Sequence, residues 1–562
     1  MRISLSRVGR LAGRSGLGSV LALTLFALPS GADASSPTPV TLTAPSIPGV
    51  AALPFTGVKA APFTVASNVA NLSLSPYSGV EGKPFTVAGS GLPANTNVEL
   101  TWSTANVSWN VDPEPNSVNY LGRAQTNFNV VMATVTTSAT GSFSVAETVP
   151  VDFGGTHDIY AVVNGVAVAH GGFELFRTLT VSPKSGPIGT PITITYTGIG
   201  ASLYTGGGSV LWDNHFTGEI MANWTRGTAS VQIRAAGPVG KHVIQVGDGI
   251  GILYMNIIQS PVPFANGSSA IFTTTKGTLK LAPTIVWPDK LTPTLSQVTT
   301  LSNAGLNPNS SATETLSPSA GPVQSKTTVS VSGLSATGPY NLVWSTVVGS
   351  RVNCPTSSCW AFQSVTLGSA SASNGSLSSS VTIPDGLGGW HVIQVVNPTT
   401  GKIEAQTPFY VQESIVPFYN KAGKLVSMGI ATSTNSTSAD ALAAGQSGVG
   451  TYTFKAGQEM TISLKGVGWT QLDNTLAVDY DNSFIGYGCG FNSQGYTVIH
   501  LMATGAPGVH IIDLYPQLYT NQPSFANTPY GMLPVLSYQR DFPGLALGYQ
   551  VPSIKFAITI VK

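Results

Sequence analysis

Apolar residues alternate with Ser, Thr, Asn and Gly along most of this chain, and the alternation comes in short runs. Val98-Glu99-Leu100-Thr101-Trp102-Ser103 and Ile192-Thr193-Ile194-Thr195-Tyr196 are two of them, and Ile554-Lys555-Phe556-Ala557-Ile558-Thr559-Ile560-Val561 is a third. Successive side chains on an extended backbone point to opposite faces, so period-two alternation predicts strands with one face buried. Clusters of Gly, Pro, Asn and Asp separate the runs, as tight turns require. No segment longer than a turn or two carries apolar residues at helical spacing. The pattern predicts an all-β chain of tandem sandwiches resembling the immunoglobulin architecture.

One motif divides the strands into groups. Gly-x-His-x-Ile occurs at Gly155-Thr156-His157-Asp158-Ile159, Gly240-Lys241-His242-Val243-Ile244, Gly389-Trp390-His391-Val392-Ile393 and Gly508-Val509-His510-Ile511-Ile512. Each copy follows a comparable series of strands, which predicts four repeats of one kind of domain. Their expected extents are 71–178 (A), 179–287 (B), 313–415 (A′) and 416–562 (B′ with a C-terminal extension from Tyr519). A Pro/Ala/Thr/Ser-rich spacer is expected at 35–70 and a linker at 288–312. The third domain copies the first: Leu342-Val343-Trp344-Ser345-Thr346 repeats Leu100-Thr101-Trp102-Ser103-Thr104. The fourth copies the second: Asp481-Asn482-Ser483-Phe484-Ile485-Gly486 repeats Asp213-Asn214-His215-Phe216-Thr217-Gly218. The order A-B-A′-B′ suggests a duplicated two-domain unit.

Composition narrows the setting. Of 562 residues 42% are hydrophobic and only 9% charged, against about 25% charged in ordinary soluble domains. A neutral, hydroxyl-rich surface suits an extracellular β protein, and without a basic patch nucleic acid is excluded as a partner. Residues 1–34 read as a secretory signal: Arg2, Arg7, Arg10 and Arg14 precede a short apolar core, Val20 to Leu28, and an Ala32-Asp33-Ala34 cleavage site. No later stretch is apolar and long enough for a membrane-spanning helix. Cys354 and Cys359 are spaced for a small loop disulfide in an oxidising compartment. Cys489 is left over and reads as a buried free thiol.

The openings Ser182-Pro183-Lys184-Ser185-Gly186-Pro187 and Ser317-Pro318-Ser319-Ala320-Gly321-Pro322, with the closing Gly-x-His-x-Ile, resemble IPT/TIG-type immunoglobulin-like repeats of bacterial and archaeal secreted and surface proteins. The resemblance covers most of residues 70–515. The fourth copy departs from it, opening on Phe454-Lys455-Ala456-Gly457. It implies an immunoglobulin-like sandwich, an extracellular setting and a role in binding, adhesion or spacing. It implies no catalytic residues.

Several residue types carry candidate chemistry. His242, Ile244 and Val246 share one face of their strand, as do His391, Ile393 and Val395. Each motif histidine (His157, His242, His391, His510) therefore points toward the core or its rim, and a structural corner role is expected rather than catalysis or metal binding. Asp473, Asp479 and Asp481 form the best local carboxylate cluster. They are a weak Ca²⁺ candidate, the alternative being a turn in which Asp and Asn bond local backbone and Gly takes positive φ. Trp102 and Trp344 are expected in cores. Trp109, Trp224, Trp360 and Trp390 are not placed by pattern, and exposed they would offer flat faces for sugar rings. No nucleophile elbow, His-Glu-x-x-His or phosphate loop is present.

The chain thus reads as a non-enzymatic secreted or cell-surface structural or interaction protein. Its partners would be proteins or glycans, and exposed strand edges could pair copies with one another. A carbohydrate-binding or adhesin module is the first alternative, and it requires Trp109, Trp224 or Trp360 to be exposed. An unrecognised enzyme, with its pocket in the longer C-terminal domain, is the second.

Overall fold

The computed structural model describes residues 40–45, 57–114, 117–202, 205–249, 258, 268–280, 285–288, 306–350, 359–419, 425–431, 437–438, 452–491, 493–518 and 533–562. The signal segment and Cys354 lie outside them. Among the described residues nearly all regular structure is strand, with one short helix, Pro543–Ala546.

Sandwich B shows the plan. Thr178–Ser182, Pro191–Thr197 and Ala229–Arg234 form a three-stranded sheet. Ser185–Gly186, Ser268–Thr274, Gly240–Asp248, Gly207–Trp212 and His215–Met221 form, in that order, the facing five-stranded sheet. Sandwich A′ has the same two sheets in the same order. In each sandwich the motif strand pairs with the strand bearing the core aromatic, and the register is the same: Trp102 opposite Ile159, Trp212 opposite Ile244, Trp344 opposite Ile393 and Tyr480 opposite Ile512. Trp102, Trp212 and Trp344 are all buried. Fully burying a large apolar side chain contributes about 2–3 kcal/mol, so these positions anchor their sandwiches.

Three stretches differ from expectation. Within the expected spacer, Val40–Thr41 pairs with Asn110 and Val111, and Thr64–Asn71 runs parallel to Val166–Leu175. An edge strand exposed on both faces needs no apolar alternation, which is why periodicity missed it. Within the expected linker, the Asn307 amide donates to the Ile403 carbonyl (2.8 Å) and the Ser310 hydroxyl to the Glu404 carbonyl (2.7 Å), tying the stretch to A′. The tail is not an appendage. Ser553–Val561 is a central strand of the fourth sandwich, pairing with Gly508–Leu518 and, in parallel, with Tyr452–Lys455.

The sandwiches are packed together. At the A–B junction the Gly154 amide donates to the Ile199 carbonyl (3.1 Å), and the Ile199 amide to the Gly227 carbonyl (3.0 Å). At the A′–B′ junction Gly388 donates to Val467 (2.9 Å) and Val467 to Gly495 (3.1 Å), the same bonds at the corresponding residues. The A–B and A′–B′ junctions therefore share the same backbone bonds. Both contacts need glycine: a Cβ on Gly154 would lie 1.8 Å from the Gly198 oxygen, and one on Gly388 1.6 Å from the Gly466 oxygen.

The segment between the last two strands of B′ joins distant parts of the chain. Val535 bridges to Glu219, and the Met221 amide donates to the Ser537 hydroxyl (3.0 Å). Buried Asp541 accepts from the Trp109 indole of A (2.9 Å) and from the Asn223 amide of B. One continuous apolar core results, running from Trp109 and Val111 through B into B′ and reaching Trp390 and Tyr410 of A′.

Candidate functional site

The motif histidine has the same setting in all four sandwiches. Its Nε2–H donates to the carbonyl four residues earlier: His157 to Phe153 (2.6 Å), His242 to Pro238 (2.8 Å), His391 to Leu387 (2.9 Å) and His510 to Ala506 (2.8 Å). A carbonyl only accepts, so Nε2 carries a proton wherever it makes this bond, whatever the state of Nδ1. The ring stacks on the core aromatic, with centroids 4.2 Å apart for Trp102–His157, 4.9 Å for Trp212–His242 and 4.7 Å for Trp344–His391. In B′ the aromatic is Tyr480, tilted at 5.7 Å.

The other ring nitrogen separates the two domain types. In A, Nδ1 of His157 lies 2.7 Å from the Ser103 carbonyl. In B and B′ the residue after the aromatic is an aspartate: Asp213 meets Nδ1 of His242 at 2.6 Å, and Asp481 meets that of His510 at 2.5 Å. Their second oxygens accept the amides of Val243 and Ile511. The electrostatics follow. The Asp481 hydrogen bond raises the pKa of His510. Burial lowers that of His391, which has no carboxylate at this position, to about 4.

The three carboxylates read as a calcium cluster are separated by this geometry. Asp481 holds His510. Asp473 caps a turn, accepting the Thr470 amide (2.8 Å) and hydroxyl (2.6 Å) through one oxygen. Asp479 is buried on the outer face of its sheet beside Asp513, and desolvation, then the Asp513 charge, holds it well above the ordinary carboxylate range. Among the described residues no group of three His, Cys, Asp or Glu side chains could hold a metal ion. The Asp-Asn turns also differ from expectation. Asp213, Asn214, Asp481 and Asn482 all take positive φ themselves, as a two-residue hairpin of the primed type demands, whereas Gly218 and Gly486 do not.

The aromatic and thiol readings need correction. Trp109, Trp224 and Trp390 are buried; the indole of Trp109 donates to Asp541 and that of Trp224 to the Ser108 hydroxyl. None offers a face to a sugar. The side chains of Trp360 and Cys359 are outside the described residues. Cys489 is exposed rather than buried, on the edge strand Ser483–Cys489.

A cavity of about 310 Å³ opens where A, B and the C-terminal segment meet, lined among others by Glu81, Thr225, Arg226, Thr228, Arg540 and Asp541. This is a junction, not the interior of the C-terminal domain where an enzyme pocket was expected. Burial, then the Asp152 charge, pushes Glu81 up to about 7. Burial pushes Asp541 to about 7 despite its two donors, and lowers Arg226. The pocket can exchange protons near neutrality and hydrogen-bond a small polar molecule. A smaller space of about 170 Å³, lined by Asp385, Gly386, Leu387 and Gln494 among others, lies at the A′–B′ junction. Pattern reading missed these residues because they lie on connections outside the alternating runs; the isolated Gln539-Arg540-Asp541 in an apolar tail was the one visible sign.

No helix among the described residues is long and apolar enough to cross a membrane. No family model matches the sequence, and no curated protein matches it. Solved structures with partial likeness include a Salmonella α2-macroglobulin mutant (10% identity over 90% of this chain and 31% of that one, TM-score 0.15). This chain spans about a third of that protein. Invasin, a bacterial integrin-binding protein, aligns at 11% identity over 86% of this chain and 78% of its own, TM-score 0.16. The ICAM-5 D1-D4 ectodomain fragment aligns at 9% over 87% and 99%, TM-score 0.18. The fold itself, tandem immunoglobulin-like β-sandwiches, rests on the sheets described above.

Proposed function

We propose that this is a non-enzymatic, secreted or cell-surface interaction protein built from IPT/TIG-like domains in a duplicated two-domain unit. The observation that carries this reading is what the recurring side chains do. The histidine found in every sandwich gives its Nε2 proton to its own backbone and stacks on a core aromatic. Its chemistry is used for architecture, as are the buried indoles of Trp109 and Trp224. The mechanism is presentation: a packed block holds loops and strand edges in fixed relative positions for a protein or glycan partner. Residues 1–34 would direct export. Brief protease treatment of intact native cells, followed by detection of the protein, tests the reading. Loss of the intact chain while cytoplasmic markers survive is the expected result. A chain protected until lysis would refute it.

A further inference from the structure

The two junction cavities can be compared residue by residue. Gly227 and Gly495 accept the corresponding junction amides, from Ile199 and Val467, so Arg226 matches Gln494 and Thr225 matches Ser493. Arg226 and Gln494 share the left-handed φ as well, 51° and 54°. Leu175 and Val411 stand opposite the motif glycines Gly155 and Gly389, and pair on their other side with Gly79 and Gly321. Glu81 therefore matches Val323. The A′–B′ junction keeps its backbone bonds with Val323 and Gln494 where the A–B junction has Glu81 and Arg226. Holding two sandwiches together does not require the charged lining of the first cavity.

That lining is rich in donors. Thr225 is 5% exposed, and its hydroxyl oxygen is buried with no hydrogen-bond partner among the described residues. Ser493, in the same place, donates to the Gly490 carbonyl (3.3 Å). A buried hydroxyl without an acceptor costs free energy that a ligand oxygen recovers. Arg226 is buried too. One of its nitrogens donates to the Asn106 side-chain oxygen (3.1 Å), and burial lowers its pKa more than the Asp152 charge raises it. A guanidinium whose burial outweighs its counter-charge gains from a further anion. The Ser537 hydroxyl accepts the Met221 amide (3.0 Å) without using its own proton. Arg540 is exposed and lines the same space, as do the apolar Val151, Met221 and Ala229. The two carboxyl groups of the lining do not oppose an anion below neutrality. Asp541 already holds the Trp109 indole and the Asn223 amide. Burial, with Asp152 adding to it at Glu81, brings both acids to about 7, so both are mostly protonated at pH 6.

We propose that the cavity at the A–B junction binds a small organic acid, its carboxylate on the Thr225 hydroxyl and the Arg226 guanidinium, its apolar body against Val151, Met221 and Ala229. Arg540 supplies a second positive charge. The volume, about 310 Å³, is at the lower end of the range for small-molecule sites. This inference does not rest on the surface role proposed above.

Titration calorimetry of the mature chain at pH 6 tests it, with 3-phenylpropionate as the probe and 3-phenylpropanamide and 3-phenylpropylamine as its neutral and cationic counterparts. The acid should bind saturably at one site per chain, and each counterpart at least about tenfold more weakly. Thr225→Val removes a hydroxyl that has no partner in the free chain, so the melting temperature without ligand should hold or rise while affinity for the acid falls about tenfold. Arg540→Gln, at an exposed position, should keep the fold and weaken the acid severalfold. No saturation by about 10 mM acid, an amine or amide that binds as well as the acid, or an affinity unchanged in both Thr225→Val and Arg540→Gln would each overturn the proposal.

Discussion

His391 and His510 occupy the same place in their strands and respond to pH in opposite directions. Burial holds His391 near 4 in the folded chain, below the ordinary value of about 6.5. Unfolded chains therefore bind more protons between these values, and stability falls as pH drops through this window, by up to about 3 kcal/mol. His510 is raised by Asp481, so its contribution is present below the ordinary histidine range and is lost as pH rises through the raised value. His391→Phe should cost about 1–3 kcal/mol at neutral pH through its lost backbone bond. The gap between wild type and variant should then narrow as pH falls from about 6.5 toward 4. Urea unfolding midpoints across that range check both statements, and a gap independent of pH would contradict the buried neutral ring. Phase alone made the inward direction of these histidines legible, since His391, Ile393 and Val395 alternate on one face. The backbone acceptor four residues back leaves no mark in side-chain pattern, and the Ser or Asp that distinguishes the domain types lies on another strand that spacing could not join to the histidine.

Strands with one buried face were readable as strands, because burial on one side writes itself as alternation. Thr64–Asn71 escaped because neither of its faces is buried. The tail escaped for a different reason: the last strand, Ser553–Val561, was visible, but its partner is the strand that precedes a long insertion, and pairing across an insertion leaves no local trace. The junction glycines were also silent, since Gly154 and Gly388 sit in Gly-Gly pairs that read as turns. Their role gives a direct test. Gly388→Ala places a methyl against the Gly466 carbonyl and should destabilise the protein by about 3 kcal/mol. Gly486→Ala meets nothing within 4 Å and should change stability by less than about 0.5 kcal/mol. Equal effects in thermal or urea unfolding would mean that the junction does not hold A′ against B′ as described.

Across the whole molecule, the repeated motif predicts four tandem sandwiches with a spacer and a linker, and the described residues of A, B and B′ share one continuous core. Charged residues on the polar phase of a strand, such as Arg234 and Asp513, read as solvent-facing because pattern cannot see a second sandwich above the sheet. The structure buries both. Removing one partner of such a pair leaves a buried charge, so Arg234→Ala should cost about 3–5 kcal/mol, felt in B and B′ alike. Truncating Asp541 to Ala should release both the Trp109 indole and the Asn223 amide and loosen A, B and the C-terminal segment together.

Calorimetry of the mature chain tests interlocking most directly. Independent sandwiches unfold in separate steps, whereas a block joined through one core unfolds as a unit. The account predicts a single transition for A, B and B′, with calorimetric and van't Hoff enthalpies in agreement and a midpoint lowered for the whole transition by Asp541→Ala. Resolved transitions for the separate sandwiches, with Asp541→Ala shifting only one, would contradict it.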